Sequence, residues 1–336
     1  MIEKDITVVS SCPDYPGWGG AATSWYKLHQ LLLKRGIDSY LYFRNPKGNK
    51  FSNNNIWVAE AQSGNLSTLI QKKKPDILIG KNHYGFTEII KKHYNIPKIF
   101  VTSGSKHGYK MAAKNIEYTK WNSFIEKDPA INSAVEIADY IVPHSQMAFD
   151  IYSKTFPQYR SKMNYIFEHC LLNQLDKNIN KKKKWEDRKI DVLFVASNWK
   201  RHPKNGFMMV KLYNILKKYS LNIQCIGKNT GLSKSQDLVS PSELCEILKD
   251  TKVLVIPSLI DLAPNVHIEA LSCGCNVILS KNVGTYTYNP VNFIRELNTN
   301  DFLKGILLAL TKQCCVSLPN PNSVLEKFIN FLRKLK

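Results

Sequence analysis

Two carboxylates, Asp261 and Glu269, stand eight residues apart in the segment Pro257-Ser258-Leu259-Ile260-Asp261-Leu262-Ala263-Pro264-Asn265-Val266-His267-Ile268-Glu269-Ala270. An apolar strand precedes them, so the first acid falls in a loop and the second inside the helix that follows. Pro264 is expected in the first helical turn, where its missing N–H leaves no bond unmade. A helix start offers free backbone N–H groups and a positive dipole end, both suited to a phosphate. Carboxylates beside that phosphate accept hydrogen bonds from sugar hydroxyls. Recognition of a sugar joined to phosphate is the chemistry these residue types can do, with Asp261, Pro264, Asn265 and Glu269 as contacts. Acids at this spacing also arise by chance, so the surrounding elements must carry the argument.

Those elements alternate. In the first half, strands are expected at 6–10, 39–43, 76–79, 98–102, 139–142 and 165–167. A helix over 21–35 places Ala22, Trp25, Leu28 and Leu32 on one face and stops at Gly36. After a lysine run at 181–184 the pattern restarts, with strands at 191–196, 223–227, 253–257 and 276–279. Helices are expected at 207–219, 241–249 behind Ser240, 264–272 closed by Gly274, and 323–336. Strand–helix alternation implies parallel sheets with helices on both faces. The fold class is therefore α/β, with two Rossmann-like domains facing across a cleft. The first spans residues 1–180 and the second 188–320, and a helix at 321–336 is expected to pack back on the first. Ligands in such sheets bind beyond the carboxyl ends of the strands, and the cleft is the expected site.

Composition narrows the class. The 336 residues include 43% hydrophobic and 22% charged, the balance of a globular chain. No stretch approaches the roughly 20 apolar residues of a membrane span, and Met1-Ile2-Glu3-Lys4-Asp5 is unlike a signal peptide, so a cytoplasmic location is expected. Eight cysteines, none in a CxxC pair, read as reduced core thiols rather than as zinc ligands or a disulfide framework. Lysine and arginine number 47 against 27 acids, a net charge of +20. Such a charge favours anionic partners, and peripheral contact with an anionic membrane is one expectation from it. No zinc finger, RRM-type run or basic heptad helix accompanies the charge, which argues against nucleic acid.

The two acids, set in these elements, resemble the signature of the GT-B-fold retaining glycosyltransferases, the large "glycosyl transferases group 1" family. That signature is two acids separated by seven residues, then Ala and a Gly, matched here by Asp261, Glu269-Ala270 and Gly274. The first acid is Asp rather than the commoner Glu, and Pro264-Asn265 replaces a Phe-Gly pair. The likeness covers nearly the whole chain. Gly19-Gly20 is similar to the family's opening Gly-Gly loop, and the segment 139–145 to an "Asp, strand, Ser" element. Val239-Ser240-Pro241-Ser242-Glu243-Leu244 is similar to a turn bordering the nucleotide base. The run 194–206 is similar to a basic diphosphate-binding loop, in which Lys204 matches one basic position. Asn198 stands where an Arg is usual, and Arg201 is expected to supply that charge.

The resemblance implies a glycosyltransferase that moves a sugar from a nucleotide-sugar donor to a glycan, a lipid-linked carrier or a protein, with retention of configuration. It puts Glu269 on the ribose hydroxyls and Asp261 on the transferred sugar. Donor contacts are also implied for Lys204, Arg201, Asn198, Gly19, Gly20, Pro264, Asn265 and Val239. His107 is the second catalytic candidate beside Asp261, although Ser103 occupies the place where the family often carries a His. His83 follows the strand at 76–79 on the ligand side. No Asp-x-Asp motif occurs, so no metal and no cofactor are expected, and Lys204, Arg201 and helix N-termini must stabilise the leaving diphosphate. No nucleophile stands out, which leaves front-face and double-displacement routes both open. The rival readings are an inactive nucleotide-sugar binding module and a sugar-nucleotide epimerase on the same fold.

Overall fold

The structure is a computed structural model that describes residues 6–14, 20–45, 55–58, 66–90, 95–102, 128–165, 169–175 and 183–336. The chain divides into two compact units, Met1–Leu172 with Asn322–Lys336, and Asn173–Pro321. Each is built on its own parallel sheet.

The first unit runs β1 (Thr7–Asp14), α1 (Gly20–Lys34), β2 (Asp38–Asn45), β3 (Ile56–Val58), α2 (Leu66–Lys73), β4 (Ile77–Lys81), α3 (Asn82–Ile90), β5 (Lys98–Val101), α4 (Pro129–Ile137), β6 (Tyr140–Val142) and α5 (Gln146–Thr155). Its strand order is β3-β2-β1-β4-β5-β6, and every neighbouring pair is parallel. β4 is buried along its whole length, as an apolar run covered on both faces must be. α1 buries Ala22, Trp25, Leu28 and Leu32. It ends because Gly36 takes φ 80°, which lets Ile37 N–H bond Leu32 O at 3.1 Å and Gly36 N–H bond Leu33 O at 3.1 Å.

Of the expected strand at 165–167, Tyr165 lies outside any strand, and 166–167 lie outside the described residues. Pro157 opens a 3-10 turn, Pro157–Lys162, and Met163 alone bridges to Ile141 of β6.

The second unit runs β7 (Ile190–Asn198), α6 (Gly206–Leu216), β8 (Ile223–Lys228), α7 (Pro241–Lys249), β9 (Thr251–Ile256), α8 (Asn265–Ser272), β10 (Asn276–Leu279) and α9 (Thr299–Ala309). Its parallel sheet has the order β10-β9-β7-β8. Alternate residues of β7 feed the two cores: Val192 and Phe194 pack with Leu212, Phe302 and Ile306, whereas Leu193 packs with Leu254, Leu271 and Val277. The helix expected to reach Tyr219 stops at Leu216, and the chain tightens into a 3-10 turn, Lys217–Tyr219.

The last helix, α10 (Pro321–Lys334), starts two residues before the expected Ser323. It buries Val324, Leu325, Phe328, Ile329 and Leu332, a 3.6-residue stripe. Arg35 bonds Asn322 Oδ1 at 2.9 Å and pairs with Glu326, and the Phe331 ring meets Tyr140 edge-on with centroids 5.7 Å apart. Among the described residues no helix is long and apolar enough to cross a membrane.

None of the eight cysteines is in a disulfide. Five of them are buried, but Cys245 and Cys314 are half-buried and Cys315 is exposed, so the expectation of core thiols fails for Cys315.

Candidate functional site

The carboxyl ends of β7, β9 and β10 hold the site of the second unit. β7 slips register against β8 between Val195 and Asn198, and the chain then turns at Trp199. The indole N–H bonds Ile226 O at 3.0 Å, and Trp199 N–H bonds Lys228 O at 2.9 Å. Gly227 sits against this turn at φ 128°, where a Cβ would lie 1.8 Å from Ala196 O. Only glycine fits there. Asn198 works inside the turn, its Oδ1 accepting from Lys200 N–H at 3.0 Å and from Asn229 Nδ2 at 3.1 Å.

A short 3-10 turn, His202–Lys204, then delivers Lys204. Asn205 follows in the left-handed region at φ 56°, and its Oδ1 caps α6 by accepting from Met208 N–H at 3.4 Å. Three links stitch this loop to the loop after β9: Asn205 Nδ2 to Pro257 O at 3.0 Å, Leu259 N–H to Pro203 O at 2.9 Å, and the Lys204 ammonium to Asp261 Oδ2. The side chains of that ion pair are 21% and 17% exposed. Asp261 is fixed from the other side as well, because its N–H bonds Asn282 O at 3.0 Å and its C=O accepts from Gly284 N–H at 2.7 Å. The two candidates chosen from sequence, Lys204 and Asp261, are therefore in direct contact across 57 residues of chain.

Pro264 is not inside the first turn of α8, as expected, but in the capping position before it, with φ −71° and ψ 118°. It offers the helix start no side-chain cap. Asn265 is the first helical residue, and Glu269 follows one turn later, half-buried. Gly274, at φ 79°, closes the helix, with Cys275 N–H bonding Ala270 O at 2.9 Å.

Sequence reasoning missed His267, which lies between the two acids. Its Nδ1 meets Thr285 Oγ1 at 2.6 Å and its Nε2 meets Asn289 Oδ1 at 3.3 Å, while Asn289 Nδ2 donates to Val277 O at 2.7 Å. Burial lowers its pKa to about 4, so the imidazole is neutral near pH 7 and pins α8 to the chain beyond β10. No local signal marks it, because both partners come from later in the sequence.

Other candidates fall elsewhere. Arg201 is exposed and forms no ion pair among the described residues, so its guanidinium points to water. Val239 is half-buried against the second core, ahead of Ser240, whose Oγ caps α7 by accepting from Glu243 N–H at 3.2 Å. Gly20 is the first residue of α1, and His83 is the second of α3. Gly19, Ser103 and His107 lie outside the described residues. In the first unit the structure adds His144, which is buried beyond β6 and bonded through Nδ1 to Thr102 Oγ1 at 2.9 Å. Burial, and then the charge of Lys81, hold its pKa well below the usual histidine value.

A lysine held by a carboxylate can exchange that internal counter-ion for phosphate oxygens, and a carboxylate so released can accept hydrogen bonds from hydroxyl groups.

No protein-family model matches the sequence, and no curated protein does. Solved structures do match. A sucrose-phosphate synthase from Thermosynechococcus elongatus superposes with a TM-score of 0.68 at 14% identity, over 98% of this chain and 94% of that one. A Staphylococcus aureus MnaA structure with UDP gives 0.63 at 10% identity, over 98% and 96%. A glycosyltransferase from Rickettsia africae gives 0.62 at 13%, over 98% of each. The chain thus has the α/β fold of GT-B glycosyltransferases, with two parallel sheets.

Proposed function

We propose that this protein transfers a sugar from a nucleoside-diphosphate sugar to an acceptor, with the donor held by the second unit and the acceptor by the first. The observation that carries the reading is the half-buried Lys204–Asp261 pair stitched between the loops after β7 and β9. It lies in a fold shared with structures named as glycosyltransferases, and one of the similar structures contains UDP. In this reading the donor diphosphate takes Lys204 from Asp261, with the α8 start and Arg201 completing the positive field. Preorganised charge of this kind stabilises a leaving diphosphate as the bond to the sugar breaks. Asp261, released, meets hydroxyls of the transferred sugar, and Glu269 meets those of the ribose. Asn198 shapes the loop rather than touching phosphate. Lysine, arginine and helix N–H groups supply the charge a metal would otherwise bring, so the reading includes metal-independent transfer; retention of configuration enters it from the family resemblance alone.

Calorimetric titration with a panel of nucleoside diphosphates, in EDTA and in magnesium, tests donor binding. Equal affinity in both buffers is expected, and binding that requires magnesium would overturn the metal-free mechanism. Proton NMR of the product from a matched sugar donor reads the anomeric configuration. Binding without any turnover would instead identify a nucleotide-sugar binding module.

A further inference from the structure

The first unit buries a lysine at the point where its strand order reverses. Lys81 ends β4 and is 1% exposed. It follows the Gly80 that pairs with Ser11 in β1, so strand alternation sets it beside Cys12. Its ammonium lies 5.5 Å from the centre of the Trp25 ring of α1. The opposite face of β4 is closed, because a Cβ on Gly80 would come within 2.4 Å of Phe86 Cα.

The groups that act electrostatically on Lys81 are the thiols of Cys12 and Cys170, and Lys81 in turn acts on the imidazole of His144. Among the described residues no carboxylate pairs with it. An ammonium moved out of water is costly unless it is paired, and an indole face offsets only part of that cost. Burial lowers the pKa of Lys81 to about 8, against the thiols, which push it upward. The group is therefore still mostly protonated at pH 7. His144, neutral and bonded to Thr102, adds no charge.

The location is what converts a charge with no carboxylate partner among the described residues into a site. The sheet order turns back between β1 and β4, and open parallel sheets bind ligands beyond the carboxyl ends of their strands at such a reversal. Lys81 is the last residue of β4, and Cys12 is the third from the end of β1.

We propose that Lys81 is the counter-charge for a singly charged oxyanion, a carboxylate or a phosphodiester, carried by a ligand of the first unit. One buried ammonium balances one negative charge. A phosphate monoester would bring a second, and none of Cys12, Thr102, His144 and Cys170 can neutralise it. With 1% of the residue exposed, only the charged tip of a ligand reaches Lys81. The binding site stands on its own; that its ligand is the sugar acceptor rests on the transfer reading above.

The test is thermal melting of the full chain with charged probes and their neutral counterparts: glucuronate against glucose, and dimethyl phosphate against trimethyl phosphate. At least one charged probe should bind about ten- to a hundredfold more tightly than its counterpart, as a charge-assisted hydrogen bond does. Which pair responds tells carboxylate from phosphodiester. Lys81→Met should erase the difference. A second measurement needs no variant: above pH 8 the preference should fall about tenfold per pH unit as the ammonium is lost. The facing groups among the described residues are Cys12, Cys170 and His144; a thiolate would repel an anion just as loss of the ammonium releases it, and the imidazole stays neutral. Equal response to charged and neutral probes, or a preference that survives Lys81→Met or high pH, would overturn the proposal. A panel of nucleoside diphosphates run in parallel reports on the second unit. A response to any of them without an anion response sinks this site alone, and an anion response with none from the panel sinks only the transfer reading.

Discussion

The Lys204–Asp261 pair makes Asp261→Asn the most informative substitution. Without the structure, loss of this acid would be expected to damage turnover and spare nucleotide affinity, because the nucleotide lacks the sugar that Asp261 contacts. The ion pair changes that expectation. In the free protein Lys204 is held by Asp261, and a diphosphate must displace that carboxylate before it gains the ammonium. At about 4 Å and an effective dielectric constant near 20, the gross attraction is about 4 kcal/mol, most of which is cancelled by desolvation. Fully exposed pairs give about 0–1 kcal/mol net, whereas breaking buried ones costs about 3–5. With side chains 21% and 17% exposed, a value of about 1–2 kcal/mol lies between those limits. Asp261→Asn should therefore lower stability by that amount, a fall of about 2–4 °C in Tm per kcal/mol. It should also raise affinity for a nucleoside diphosphate about five- to thirtyfold. Turnover with the intact donor should still collapse, since the amide is a weaker acceptor for sugar hydroxyls. Calorimetry with the diphosphate, a melting curve and a transfer assay read the three effects separately. Unchanged or weaker nucleotide binding would refute the competition argument, whatever happens to activity.

Glu269→Gln should weaken the nucleoside diphosphate and the intact donor alike, by about ten- to a hundredfold, since the ribose is common to both; a loss confined to the intact donor would place Glu269 on the sugar instead. Stability should decline in acid because His29 and His267 have folded pKa values lowered to about 4 by burial. Between pH 6.5 and 4 the unfolded chain binds protons that the folded chain refuses, so each histidine removes about 1.4 kcal/mol per pH unit as pH falls. Urea midpoints across that range read the slope, and His267→Asn should lower it by about 1.4 kcal/mol per pH unit; a flat wild-type profile would show that these imidazoles are not neutral in the fold. Gly227→Ala should destabilise the second unit by more than about 3 kcal/mol, since its Cβ would press on Ala196 O at φ 128°. Gly231→Ala, at φ 72° with open space, should cost only about 1 kcal/mol, and similar denaturation midpoints for the two would contradict the packing argument.

Hydrogen bonds between near neighbours and the alternation of apolar runs are local, and they made the elements legible. The strand Asn276–Leu279 and the helix Pro241–Lys249 lie where their residues place them, because Ser240 and the strand's β-branched pair act over a few positions. Glycines 36 and 274 end their helices for the same reason, each needing only its own φ and the preceding turn. Caps at Asp128, Ser145 and Asn298 carried equally local signals for α4, α5 and α9. None of these three is among the helices expected from the sequence.

The site was legible only as a set of residue types. That Lys204 lands on Asp261 depends on β7 and β9 being sheet neighbours, a choice made by which apolar faces cover one another. His267 acquires its role from Thr285 and Asn289, and a helical spacing says nothing about which later loop will arrive. Lys81 is the clearest case. Read along the chain it is one more lysine in a protein of net charge +20, the kind of residue that ordinarily stands in water. Its place at the end of a central strand, beneath Trp25 and beside Cys12, follows from the order β3-β2-β1-β4-β5-β6. Strand order is settled by long-range burial, and only that removes the solvent from its charge.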